Sequence, residues 1–288
     1  MLNLLARTRS IDRRVISTLT MLMLAVPLIW RMPLKMVAFP ATTKLKTYID
    51  GLPKEKLIVL CADWDSATKG ECQPLTAGMM DYLFRTRRKF AIFGFLPQGP
   101  TLAQGLAEDL ARKHGAKYGV DWVNWGFRPN AMTTLIALMN DIPSTLKTDI
   151  KKNPLESDPI TSLAKSLKDV GLLFEVTGTG IMGTYLQFCA GVPLANGCTA
   201  VIGPEQYPYL QSGQLKGLLV GLGGAAQWET VTDFRDEQGR LGGEGLRGMG
   251  SQSLGHLLVM VLIVLGNVGV WAANRLARQA RPGEEVRP

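Results

Sequence analysis

An α/β fold is predicted, three layers deep on a mainly parallel sheet of the Rossmann or flavodoxin-like kind, set between two transmembrane helices. Three observations carry this expectation. Short apolar runs of strand length alternate with helical runs through residues 56–232, the pattern of a layered α/β domain. Residues 15–30 and 254–273 contain no Lys, Arg, Asp or Glu. The net charge of +8 falls entirely outside the centre of the chain, with +3 in residues 1–14, +3 in 31–50 and +2 in 275–288. A nucleic-acid binder would show its basic footprint on the folded domain. Here the basic residues flank apolar segments, where they meet lipid headgroups, so no nucleic-acid partner is expected.

At 288 residues, there is room for one sizeable domain with appendages. Residues 1–14 read as a basic tail and 15–39 as an N-terminal anchor. The apolar part of that anchor is short for a span of about 20 residues, with Arg31 and Lys35 placed to snorkel. A cleaved signal peptide is the competing reading, but no clean small-x-small cleavage site follows Trp30. The α/β domain is expected over 40–232. Its strands fall at 56–62 (KLIVLCA), 90–95, 121–127 (DWVNWGF), 171–176 (GLLFEV) and 198–202, as continuous apolar or aromatic runs. Helices are expected at 74–88, 102–114, around 131–139 and 159–168, and at 181–190. After the fifth strand a Pro/Tyr loop feeds a helix-like run in which Gly213, Gly217, Gly221 and Ala225 recur every fourth residue. On a helix they form one smooth ridge, and glycine costs roughly 1 kcal/mol relative to alanine at each such position. The ridge therefore implies close approach of another backbone. Residues 233–253 read as a Gly-rich linker, 254–274 as a transmembrane helix with Trp271 and Arg275 at one end, and 275–288 as a second basic tail. Eight Arg in the two tails place both in the cytoplasm by the positive-inside rule. The α/β domain is then extracytoplasmic on a two-pass cell-membrane protein.

The segments LIVLCADWDSATKGE, GFLPQGP, YGVDWVNWGF and YPYLQSGQLKGLLVGLGGAAQWE resemble an uncharacterised family of membrane-anchored bacterial and archaeal proteins. That family has an N-terminal anchor, an α/β domain and a closing PYL-x-SGQL-x-GLL-x-GL-x-GAA-x-aromatic-Glu segment, found here from Pro208 to Glu229. Its usual acidic residue before the aromatic is Gln227 in this chain. The similarity covers most of residues 50–232. It implies fold and anchoring, and brings no activity with it.

Few constellations carry chemistry. Asp63 and Asp65 follow the first strand, and Glu175 ends the fourth. Parallel α/β sheets bind ligands at such strand ends, and paired carboxylates suit a hard divalent cation, the one cofactor this chain would admit. The plainer reading, which we prefer, has Asp65 or Ser66 capping a helix and Asp63 bonding loop amides. No cofactor and no metal site is expected on that reading. Gly178, Thr179 and Gly180 lie between a strand and a helix, where amides cradle anions. The loop lacks the P-loop lysine and also reads as a plain turn. With only His114 and His256, no histidine-based triad can be assembled. Cys61, Cys72, Cys189 and Cys198 read as unpaired core residues, Cys189–Cys198 being the better bridge if one forms. Trp64, Trp122, Trp125, Tyr207 and Tyr209 read as core and rim, or as the lining of a cleft.

Two functions are therefore expected in order of preference. The first is a non-catalytic, membrane-anchored interaction or assembly module, docking through the glycine ridge to a copy of itself or another membrane protein. The second is a membrane-tethered enzyme or ligand-binding domain using Asp63, Asp65 and Glu175.

Overall fold

The computed structural model describes residues 2–30, 36–236 and 238–280. It divides into a terminal unit (1–33 with 247–288) and a central unit (34–246). The chain opens with α1 (Leu2–Arg7), a 3-10 turn at Thr8–Ser10 and α2 (Arg13–Ile29). Asp12 caps α2 by accepting the Arg14 amide at 2.8 Å. The 17 residues of α2 rise about 26 Å, and two of them are arginines. That falls short of a hydrocarbon core of about 30 Å.

The central unit begins with α3 (Pro40–Gly51), β1 (Ile58–Asp63), α4 (Lys69–Arg85), β2 (Phe90–Gly94), α5 (Gln98–His114) and β3 (Trp122–Phe127). It continues with α6 (Ala131–Leu138), α7 (Ile142–Leu146), β4 (Leu172–Thr177), α8 (Met182–Phe188), β5 (Leu194–Cys198), α9 (Gly203–Gln211), β6 (Leu215–Val220) and α10 (Gly221–Val231). The six strands form one parallel sheet in the order β3-β2-β1-β4-β5-β6. Every residue of the central strands β1 and β4 is buried, which is why they read as unbroken apolar runs. One core cluster, with Leu45, Leu60, Met79, Ile92, Phe174 and Trp228, joins α3, α4, α5 and α10 to one face of the sheet. A second, with Cys61, Phe93, Trp125, Leu135, Leu173 and Tyr185, joins α6, α7 and α8 to the other. The expected α/β architecture is thus present.

Four expectations about the elements are corrected. The helix expected at 159–168 is two 3-10 turns, Thr161–Leu163 and Leu167–Asp169. The fifth strand lies four residues earlier than expected, and the Pro/Tyr loop is α9, with Pro204 in its first turn, where proline is tolerated. The glycine-ridged helix does not exist as one helix. Gly213 is a left-handed turn residue (φ +79°) and Gly217 lies within β6. Gly221 starts α10 at φ +57°, and Ala225 is a core residue of that helix. Their period of four arises from three separate demands. Gly217 does make the close approach expected of it: a Cβ there would stand 2.4 Å from Leu45 Cβ and 3.1 Å from the Ala41 carbonyl oxygen. Its neighbour is α3 of the same chain.

The fourth correction concerns the C-terminal part. α11 runs unbroken from Glu244 to Ala280, so half of the expected 233–253 linker is helical. Among the described residues it is the one helix long and apolar enough to cross a membrane, and the expectation of two such helices is corrected to one. Residues 31–35 of the expected 15–39 anchor and 281–288 of the expected basic tail lie outside the described residues. Within the terminal unit, the N-terminal segment runs antiparallel to α11. Ser251 Oγ donates to the Leu24 carbonyl at 2.8 Å, and Thr8 Oγ1 to the Leu265 carbonyl at 2.8 Å. The contact falls on small residues: a Cβ on Gly255 would meet Leu24, and one on Gly269 would meet Thr8 and Arg9. Small residues are what membrane helices use to approach one another.

Candidate functional site

The sheet order reverses between β1 and β4, the place where open α/β sheets take ligands. Two of the three predicted acids meet there. Asp63 is the last residue of β1. Glu175 lies on β4 in register with Cys61, and Asn196 on β5 is in register with Glu175. In-register partners on parallel strands share a face, so Cys61, Asp63, Glu175 and Asn196 project to the same side.

Every one of these groups is sealed. Asp63, Glu175, Asn196, Tyr185 and Thr177 are all 0% exposed. Asp63 Oδ1 accepts the Phe95 amide at 2.5 Å, and its Oδ2 accepts the Tyr185 hydroxyl at 2.6 Å. Burial pushes the Asp63 carboxyl up to about 6, against the hydrogen bonds from Tyr185, Phe95 and Leu96. The seal continues beneath it: a Cβ on Gly94 would stand 2.3 Å from the Ala62 carbonyl oxygen, and one on Gly99 1.9 Å from it. The GFLPQGP segment is therefore glycine-punctuated because it lies against the end of β1. Glu175 Oε2 accepts Asn196 Nδ2 at 2.7 Å. Burial first, then the charge of Asp63, pushes Glu175 well above the usual carboxylate range.

Asp65 is elsewhere. Half-buried in the loop after β1, it accepts the amides of Ala67 at 2.9 Å and Thr68 at 3.4 Å, a local turn ahead of α4. It does not pair with Asp63. Among the described residues no group of three or more His, Cys, Asp or Glu is placed to hold a metal ion.

The 178–180 loop is also committed to internal bonds. The Gly178 amide donates to the Asp63 carbonyl at 3.3 Å, and the Thr179 amide to Thr177 Oγ1 at 2.9 Å. Gly178 packs on Thr68, and around Gly180 there is open space. The helix that follows, α8, has only seven residues.

The four cysteines are free and buried. Burial pushes the thiols of Cys72, Cys189 and Cys198 up to about 12, so they stay protonated and unreactive at neutral pH. Trp64, Trp122 and Trp125 are core residues, whereas Tyr207 is exposed.

Sequence reasoning missed several partners. Tyr185 gave no signal. Asn196 had one, as a lone amide inside the apolar run VPLANGCTAVI. Glu71 accepts the Ala200 amide at 2.7 Å and ties the start of α4 to the end of β5. The two polar residues closing the family-like segment are helix caps. Gln227 Oε1 accepts the Phe39 amide and the Thr42 hydroxyl, both at 3.0 Å, at the start of α3. Glu229 accepts the amides of Gly243, Gly245 and Leu246 at 2.8–2.9 Å, at the start of α11. No family model matches the chain, and no curated protein or solved structure matches it either.

Proposed function

We propose that this chain is a membrane-anchored α/β module that acts by binding or assembly and performs no chemistry at its sheet crossover. The observation that carries the reading is the sealing of that crossover. Asp63 and Glu175 have no accessible surface and are bonded to Tyr185, Asn196 and loop amides. Anchoring rests on α11 and on the resemblance to a membrane-anchored family. The partner class is a second copy or another membrane protein. The 213–225 segment is no longer assigned as the docking face, because α3 already fills the space beside Gly217.

We further propose a two-pass arrangement in the cell membrane, with the residue 15–39 segment as the second span, both basic tails cytoplasmic and the α/β domain outside. The antiparallel packing supports it, since the backbone of Arg9 lies beside Gly269. Gly269 is six residues from Arg275, about 9 Å along the helix. Reporter fusions at both tails and near Asp50 test the arrangement. Cytoplasmic signals at the tails and an external signal near Asp50 are expected, and an external tail defeats it. Crosslinking in detergent tests the assembly reading, which a strictly monomeric, partnerless chain would defeat.

The second reading, a tethered enzyme or ligand-binding domain, keeps one observation: Asp63 and Glu175 do lie at the crossover. Thermal unfolding with Mg²⁺, Mn²⁺ or Ca²⁺ separates the two. We expect no shift. A rise in Tm that disappears in the Asp63→Asn/Asp65→Asn double variant makes the second reading the leading one.

A further inference from the structure

We propose that Glu175 is a neutral carboxylic acid in the folded domain, its proton closing a two-bond ring with the Asn196 carboxamide, so that a proton locks β4 to β5 and alkaline pH releases them.

The inference starts from two orphaned atoms. Asn196 Nδ2 donates to Glu175 Oε2 at 2.7 Å, which satisfies one side of each planar group. The remaining oxygen of each, Glu175 Oε1 and Asn196 Oδ1, is buried and has no hydrogen-bond partner; the Thr177 hydroxyl, the other donor bearing on the carboxyl, is directed to the Asp63 and Thr179 carbonyls instead. Leaving a buried polar atom unpaired costs about 1–3 kcal/mol, and here two adjacent side chains each do so. Both atoms are acceptors if Glu175 is ionised, and two acceptors cannot bond each other. A single proton on Oε1 turns it into a donor to Oδ1 and satisfies both atoms together. Strand register holds the two groups side by side.

Among the described residues the surroundings supply no competing positive charge. Asp63 and Cys61 face the carboxyl from β1, Thr177 from β4 itself and Cys198 from β5. Tyr185 faces it from α8, and Glu71 and Cys72 bear on the same cluster from α4. All are acids, thiols or hydroxyls. Among the described residues, no Lys, Arg or His bears on the charge of Asp63 or Glu175. Keeping Glu175 neutral also removes the repulsion that two buried carboxylates would suffer, and Asp63 then holds the single negative charge through Tyr185 and the Phe95 amide.

The sign of the pH effect follows. A carboxyl whose folded value lies above its unfolded value stabilises the fold least at high pH. The folded chain keeps a proton that the unfolded chain has lost, so stability falls as pH rises from the ordinary Glu range to the folded value. Asp63 acts in the same direction until it is fully ionised, about one pH unit above its value of about 6. The buried thiols add their own fall once unfolded cysteine ionises at about pH 8.5, so the fall between about pH 7 and 8 belongs to Glu175.

The test is denaturant unfolding of the full chain in detergent from pH 5 to 9. The parent's folding constant is expected to fall about tenfold per pH unit between about pH 7 and 8, one proton's worth. Glu175→Gln replaces the O–H donor by an N–H donor, so its folding constant should match or exceed the parent's at pH 8 and lose that slope. Asn196→Asp should fold at pH 5 and lose stability more steeply than the parent as pH rises. An infrared spectrum of the parent at pH 7 should show a protonated carboxylic acid band that shifts on ¹³C-glutamate labelling. The proposal is overturned if that band is absent, or if Glu175→Gln is weaker than the parent at every pH. It is also overturned if parent stability depends on Na⁺ or K⁺, which would place a cation between the orphaned oxygens.

Discussion

Replacing Gly217 by leucine puts a branched side chain where α3 already stands, because even a methyl group would approach Leu45 Cβ to 2.4 Å. Overpacking of this kind costs about 1–3 kcal/mol. Lys216, next to it, is exposed, and Lys216→Ala should stay within about 0.5 kcal/mol of the parent. Denaturant midpoints check both, and equal stability of the Gly217→Leu variant would mean that α3 does not press on β6. The Asp63→Asn/Asp65→Asn double change should lower stability, since Asp65 loses its turn amides at roughly 1 kcal/mol and Asp63 its charge-assisted bonds to Tyr185 and Phe95. A double variant as stable as the parent would show that these carboxylates stabilise nothing. At this scale the sequence was half legible. Asp63 was readable as a strand-end acid bonded to loop amides, and Gly217 as a residue under close approach. Tyr185 was not, because it arrives from 122 residues away and no local spacing encodes which strand it will cover.

α10 carries two caps, and helix geometry explains how. Gln227 and Glu229 are two residues apart, about 200° around the axis, so they leave the helix on nearly opposite sides. One reaches the start of α3 and the other the start of α11. Glu229→Ala removes an acceptor from three amides at a helix N-terminus, where a carboxylate also favours the dipole. A loss of about 1–2 kcal/mol is expected, together with faster hydrogen exchange at Gly243, Gly245 and Leu246. Unchanged exchange at those amides would show that the cap does not hold them. Gln227→Ala should act in the same way, but at the Phe39 amide and at about 1 kcal/mol. The sequence showed neither cap. Residues 244–253 look like linker because Gly and Ser dominate them, and local propensity contains nothing of a carboxylate offered from another helix. The misreading of 213–225 has a related cause. A four-residue glycine period suits a helix face, yet each glycine answers a different constraint: a left-handed turn, α3 overhead and the start of α10.

For the whole molecule, the alternation of apolar strands with helices was enough to reveal an α/β sheet. The order 3-2-1-4-5-6 was not readable, because parallel strands carry no mark of their neighbours. That order places α3, near the start of the chain, against β6 and α10, near its end. Limited proteolysis of C-terminal truncations tests the dependence. A chain ending before Leu215 should leave α3 and the β5 edge uncovered and be cleaved rapidly, whereas one ending at residue 246 should resist. Equal resistance would show that β6 and α10 are dispensable. The same arrangement sets a timetable for biosynthesis. The Phe39 amide must wait for Gln227, 188 residues later, roughly ten to forty seconds at about 5–20 residues per second. The first residue of α11, Glu244, follows Gln227 by only 17 positions. The cap on α3 and the apolar helix α11 therefore leave the ribosome almost together, so on the membrane-anchored reading proposed above closure of the fold coincides with the moment the insertion machinery must act.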